Sequence, residues 1–157
     1  TKQLNTEDQE EDEEDLESTG QQPRAWPNQH QHHECVAIGL TTRSFPLTKR
    51  LPGWDVSSYG YHSDDGSLFN ATHSVLSSAP TYGPGDTVGC GLDYSTRHIF
   101  FVKNGECLGY AFDKKVEKEV LDKGLYPTIG VDSDSPVYVN FGERPFKFDL
   151  RGFAGCQ

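Results

Sequence analysis

No stretch of eighteen apolar residues occurs in the 157-residue chain, so the sequence holds no candidate for a membrane-spanning helix. Base is in short supply. The formal net charge is −10, which repels phosphates and argues against nucleic acid and anionic membrane as partners. A Cys-x-x-Cys pair is also missing. Cys35, Cys90, Cys107 and Cys156 are widely spaced, and no secretory leader opens the chain. The reading is therefore reduced thiols in an intracellular protein, cytoplasmic and/or nuclear, with Thr1 suggesting a fragment. A repeat of about 20–50 residues is absent, which argues against a propeller or solenoid.

Catalytic patterns are equally scarce. The chain has no Gly-x-Ser-x-Gly elbow, and no Ser or Cys has a base at suggestive spacing. Gly83-Pro84-Gly85 precedes a strand-like run rather than a helix, so it is no phosphate cradle. Asp64-Asp65-Gly66 offers two adjacent carboxylates, but neighbours on an extended chain diverge, and the triplet reads as a turn. His30, His32 and His33 sit in a Gln/His tract without acid or Cys at ligand spacing. Residues 132–143 mimic a calcium loop, yet Pro136 stands at a ligand position and Val137 replaces the required Gly. His62 and His98 read as strand residues that pack or hydrogen-bond. No metal site and no cofactor are expected.

What is present is uneven. Residues 1–17 hold nine acids against Lys2, and residues 18–33 are polar and interrupted by proline. Such a segment lacks the apolar surface to offset its ordering entropy, so 1–33 reads as a disordered tail and 34–153 as the domain. From Glu34 the chain turns into short apolar runs separated by Gly, Pro, Asp and Ser. Strands are expected at 35–40, 58–62, 86–94, 98–103, 107–112, 126–131 and 137–141, with a last one at 146–150. Tyr59 and Tyr61 should share one face. Asn104-Gly105 between two apolar runs is a strong hairpin signal, because both central positions of a type I′ turn need positive φ. Residues 114–121 alone have helical composition, for one or two turns at most. The fold class is an all-β antiparallel sandwich or barrel. Most of Trp54, Tyr59, Tyr61, Tyr82, Tyr94 and Tyr138 should pack in the core or at its rim, Trp54 in the core, while a few exposed Tyr or Trp on loops would serve as anchors for a peptide.

One segment is more specific. Leu51-Pro52-Gly53-Trp54-Asp55 is followed by Ser58-Tyr59-Gly60-Tyr61-His62 and then Asp64-Asp65-Gly66. Further on come Gly85-Asp86-Thr87-Val88-Gly89-Cys90, Phe101-Val102-Lys103-Asn104-Gly105, Leu108-Gly109-Tyr110-Ala111-Phe112, Leu125-Tyr126-Pro127-Thr128-Ile129-Gly130 and Asn140-Phe141-Gly142. In this order, across about 35–150, they resemble the SPRY domain of the Ran-binding protein M type. The resemblance implies a bent two-sheet, concanavalin-like sandwich without a catalytic site. It implies loops at one rim that bind short peptides, in ubiquitin-ligase assemblies or scaffold proteins. In that family an aromatic-rich strand of Tyr-Tyr-Phe-Glu-Val type precedes the strand matched by 35–40. No such strand stands here, so the first strands are expected to be missing.

Carried onto this chain, the peptide loops are 43–54 and 132–136, with 82–85 as a third wall. The candidate contact residues are Arg43, Lys49, Arg50, Leu51, Pro52, Trp54, Tyr82, Asp132, Ser133 and Asp134. The first loop is basic and the second acidic, and Asp132 stands where some relatives carry a peptide-gripping aromatic. The expected partner is a protein or peptide. A carbohydrate-binding sandwich is the alternative, while a glycosidase lacks any carboxylate pair argued to face a groove.

Overall fold

The computed structural model describes residues 34–73 and 79–156; the expected tail, 1–33, lies outside them. Eight strands and one short helix follow in order: β1 Cys35–Thr41, β2 Ser58–His62, β3 Leu68–Asn70, β4 Thr72–His73, β5 Val88–Asp93, β6 His98–Lys103, β7 Glu106–Tyr110, α1 Lys118–Lys123 and β8 Tyr126–Asp132. They form two antiparallel sheets. The first has the order β4-β3-β2-β1-β8 and the second β5-β6-β7. The fold class is all-β, a two-sheet antiparallel sandwich, as the alternation predicts.

The core lies between the sheets. Leu40 and Tyr61 from the first sheet meet Ile99 and Phe101 from β6, with Leu68, Ala111 and Val116 closing the cluster. Tyr59 packs against it beside Tyr61, so the two tyrosines do share a face and Gly60 takes the other. β6 is apolar without alternation because both of its faces are covered. Ile99 and Phe101 face the first sheet, while Phe100 and Val102 pack with Phe148, Phe153 and Cys156 of the C-terminal segment. Rings stack there, Phe100 on Phe153 at 4.7 Å between centroids.

The β6–β7 hairpin turns at Asn104-Gly105 with φ of 53° and 96°, both positive, as a type I′ turn requires. Asn104 does more than turn the chain. Its Oδ1 accepts from the Thr87 N–H at 2.9 Å, and its Nδ2 donates to Asp86 Oδ1 at 2.7 Å.

Four expectations fail. Residues 137–141 and 146–150 are not strands. Asn140 Oδ1 accepts from the N–H groups of Gly142 and Arg144, and Glu143 Oε2 from that of Phe141. These bonds fold the end of the first stretch into a local turn, and Tyr138 is left 93% exposed. The helix spans Lys118–Lys123 rather than 114–121, because Val116 is drawn into the core and its N–H donates to the Arg97 carbonyl. Trp54 is exposed, as are Tyr94 and Tyr138, so three of the six candidate core aromatics lie outside. Lastly, Cys107 and Cys156 are joined as a disulfide, against the expectation of four thiols; the C-terminal segment that covers Phe100 brings Cys156 to β7. β3 and β4 had no sequence signal, since the tight turn between them uses Ala71 at φ 64° instead of glycine.

Candidate functional site

β1 alternates. Val36, Ile38 and Leu40 point inward, so Cys35, Ala37, Gly39 and Thr41 belong to the outer face of the first sheet. Register extends that face to Ser58, Gly60 and His62 on β2 and to Thr128, Gly130 and Asp132 on β8. It is paved with small residues, and the 42–57 loop lies directly on it.

Leu51 packs with Cys35 and Ala37. A Cβ on Gly130 would run into the Leu51 side chain and lie 2.9 Å from Pro52 Cδ, and one on Gly60 would run into the Pro52 carbonyl. Glycine at 60 and 130 is therefore what lets the loop touch the sheet. Gly53 turns the chain at φ 96°, and its N–H donates to Ser58 Oγ at 2.9 Å. That hydroxyl donates in turn to the Asp55 carbonyl at 2.9 Å. His62 accepts no freedom either: its Nε2 meets the Pro52 carbonyl at 2.8 Å. A carbonyl only accepts, so Nε2 carries the proton of the neutral ring. Burial holds His62 below the usual imidazole range, against the opposing pull of the Pro52 carbonyl. Trp54 lies over this ring at 5.7 Å between centroids and Phe69 at 4.5 Å.

The ten candidate contact residues thus separate into four groups. Leu51 and Pro52 are buried and seat the loop on the sheet. Arg43, Lys49, Arg50 and Trp54 remain exposed around that seat. Arg50 Nη1 donates to the Trp54 carbonyl at 3.2 Å and meets Asp55 Oδ2 at 3.4 Å, which ties the loop across its own base. Leu47 and Val56, both 79% exposed, add apolar surface that the motif reading passed over.

Asp132, the last residue of β8, and Asp134 just past it are exposed, and Ser133 Oγ donates to Glu34 Oε2 at 2.9 Å. Gly130 and Asp132 share a face, the one on which Leu51 and Pro52 sit. The seat of the first loop and the start of the second therefore stand two residues apart along one strand. Tyr82 is placed differently. Its hydroxyl contacts the Val36 carbonyl at 2.7 Å and the Tyr61 carbonyl at 2.9 Å, and its ring packs on Tyr61 at 4.7 Å. Burial pushes its phenol far up. Tyr82 braces the core edge of the 82–85 loop, while Gly83, Pro84 and Gly85 face solvent.

The Asp64-Asp65-Gly66 segment is the turn it resembles. Gly66 has φ 72°, and Asp65 Oδ1 accepts from the Ser67 N–H at 2.8 Å. Asp64 turns toward β1, where Cys35 Sγ donates to its Oδ1 at 3.3 Å.

A family model described as SPRY domain matches residues 25–144. Among curated proteins, the Ran-binding proteins 9/10 homolog of Drosophila melanogaster is 43% identical over 115 residues, 73% of this chain and 11% of that protein. The Ran-binding protein M homolog of Arabidopsis thaliana is 40% identical over 123 residues, 78% and 25% respectively. Ran-binding protein 9 of Homo sapiens is 39% identical over 119 residues, 75% and 15%. The chain thus spans about a tenth to a quarter of the length of these relatives. Among solved structures, a human SPRY domain is 30% identical with a TM-score of 0.46, covering 60% of this chain and 58% of that one. The SPRY domain of human HERC1 is 21% identical with a TM-score of 0.47, covering 69% and 64%.

Proposed function

The chain belongs to the SPRY domain family, and from that premise we propose that it is a protein-interaction module rather than an enzyme, taking a short peptide segment of a partner across loops 43–54 and 132–136. The observation that carries this reading is the seating of Leu51 and Pro52 on Gly60 and Gly130. A loop pinned at its centre presents Arg43, Lys49, Arg50 and Trp54 in a set geometry, so little ordering entropy is lost when a peptide docks. Basic side chains on one loop and Asp132 and Asp134 on the other suit a polar peptide with an apolar anchor over Trp54 and Leu47. Leu51 and Pro52 act beneath the site. We place the protein in cytoplasm or nucleus, as substrate receptor or scaffold of a ubiquitin-ligase-type assembly.

The test is a peptide library displayed against the chain, with affinities of selected peptides read by fluorescence anisotropy. Arg50→Ala combined with Asp132→Ala should weaken binding at least about tenfold, or roughly 1.4 kcal/mol, while each single change leaves stability within about 0.5 kcal/mol. Tyr94→Ala, in the turn that follows β5 of the other sheet, should change nothing. Full affinity in the double variant would put the site on another face.

A further inference from the structure

Cys35, His62 and Asp64 are not among the candidate peptide-contact residues, although Cys35 packs with Leu51 and His62 touches Pro52 and Trp54 from beneath. Each offers one ligand atom, and the sulfur, ring nitrogen and carboxylate oxygen all lie within 4.8 Å of one another. They come from two strands. Cys35 opens β1, His62 closes β2, and Asp64 follows in the turn. We propose that Cys35, His62 and Asp64 form a binding site for a zinc-class divalent cation at the end of the first sheet's outer face.

Three features support this beyond proximity. The donor set mixes thiolate, imidazole and carboxylate, which suits a borderline-soft ion and not the all-oxygen preference of calcium or magnesium. His62 is already oriented as metal-binding histidines are: one ring nitrogen is engaged by a backbone carbonyl, that of Pro52, which leaves Nδ1 with the lone pair. The backbone between the ligands is locked, because the Val36 N–H donates to Ser63 Oγ at 2.8 Å and the Ser63 N–H to the Val36 carbonyl at 3.0 Å. Cys35 and His62 are buried and Asp64 is exposed, so the site is open to solvent on one side, where water completes a tetrahedral set.

Binding is a ligand exchange. The Cys35 S–H proton leaves to solvent as the sulfur–metal bond forms, and the Cys35–Asp64 hydrogen bond gives way to metal bonds on both atoms. No electron is transferred. Sequence spacing could not reveal the trio, since 26 positions separate Cys35 from His62 and only the β1–β2 pairing closes the gap.

The probe is cobalt(II) titrated into the whole chain, with zinc as competitor. One equivalent should give a thiolate-to-cobalt charge-transfer absorption that zinc abolishes. Cys35→Ser should remove the band, and Asp64→Asn, at an exposed position, should weaken binding at least about tenfold. Replacing His30, His32 and His33 together by alanine should leave the band intact. A cobalt spectrum without the thiolate band overturns the proposal. So does a band that persists at full affinity in Asp64→Asn, a variant whose fold is checked by near-ultraviolet circular dichroism.

Discussion

Single residues decide how the loop meets the sheet. Gly60 is the sharpest case, because any Cβ there meets the Pro52 carbonyl, which is backbone and cannot swing away. Gly60→Ala should destabilise by about 1–3 kcal/mol, the range for overpacking a close contact, and should also loosen the 42–57 loop. Urea unfolding reads the first effect as a lower midpoint at unchanged slope; an unshifted midpoint would mean the loop does not rest on β2. Asp93 decides the opposite corner. Ser95's hydroxyl first, then Tyr110's, hold its carboxyl far below the usual carboxylate range. The folded pKa is thus below the unfolded one. The carboxylate therefore stabilises the fold above about pH 3.9, and that contribution is lost as pH falls below it. Between about pH 5 and 2 the wild type should lose stability more steeply than Asp93→Asn, and equal slopes in a urea series would mean that Asp93 contributes nothing. Neither role was visible in the sequence. Gly60 was legible as a motif glycine, but its partner, Pro52, is eight positions away through a loop. Asp93 read as one more polar residue on a strand.

At the scale of elements, legibility followed locality. The β6–β7 hairpin was readable because Asn-Gly satisfies its turn within two residues, β1 because it is a short apolar run, and β2 because its tyrosines alternate with small residues. Residues 137–141 have comparable apolar character but no neighbouring strand among the described residues, and Asn140 and Glu143 offer their backbone local partners instead. A strand is a pairing, and pairing is what single-sequence patterns omit. The candidate site shows the same division. The motif marks 43–54 as a candidate loop, and only the fold shows that Leu51 and Pro52 are its buried seat and Trp54 its exposed crest. Gly105→Val tests the hairpin. Valine would be forced to φ 96° with its Cβ 3.1 Å from the Lys147 carbonyl oxygen, at a cost of about 1–3 kcal/mol. The denaturant midpoint should drop accordingly, whereas no drop would refute the type I′ turn.

Across the whole molecule, the second sheet depends on the C-terminal segment. Phe148, Phe153 and Cys156 cover Phe100 and Val102, and the disulfide to Cys107 fixes that cover across a separation of 49 residues. In the chain-entropy picture a loop of this length is worth about 4 kcal/mol. Cys156→Ser should therefore lower Tm by roughly 10–15 °C, and reduction of the wild type by dithiothreitol should reproduce the shift. Thiol titration of the unreduced, denatured protein should find two free groups, Cys35 and Cys90. Four would show the pair open. The result bears on where the protein works. A cytosolic or nuclear setting keeps thiols reduced, so there the cover would be held by Phe148 and Phe153 alone, and the reduced Tm, not the oxidised one, is the stability at which its loops must hold a partner.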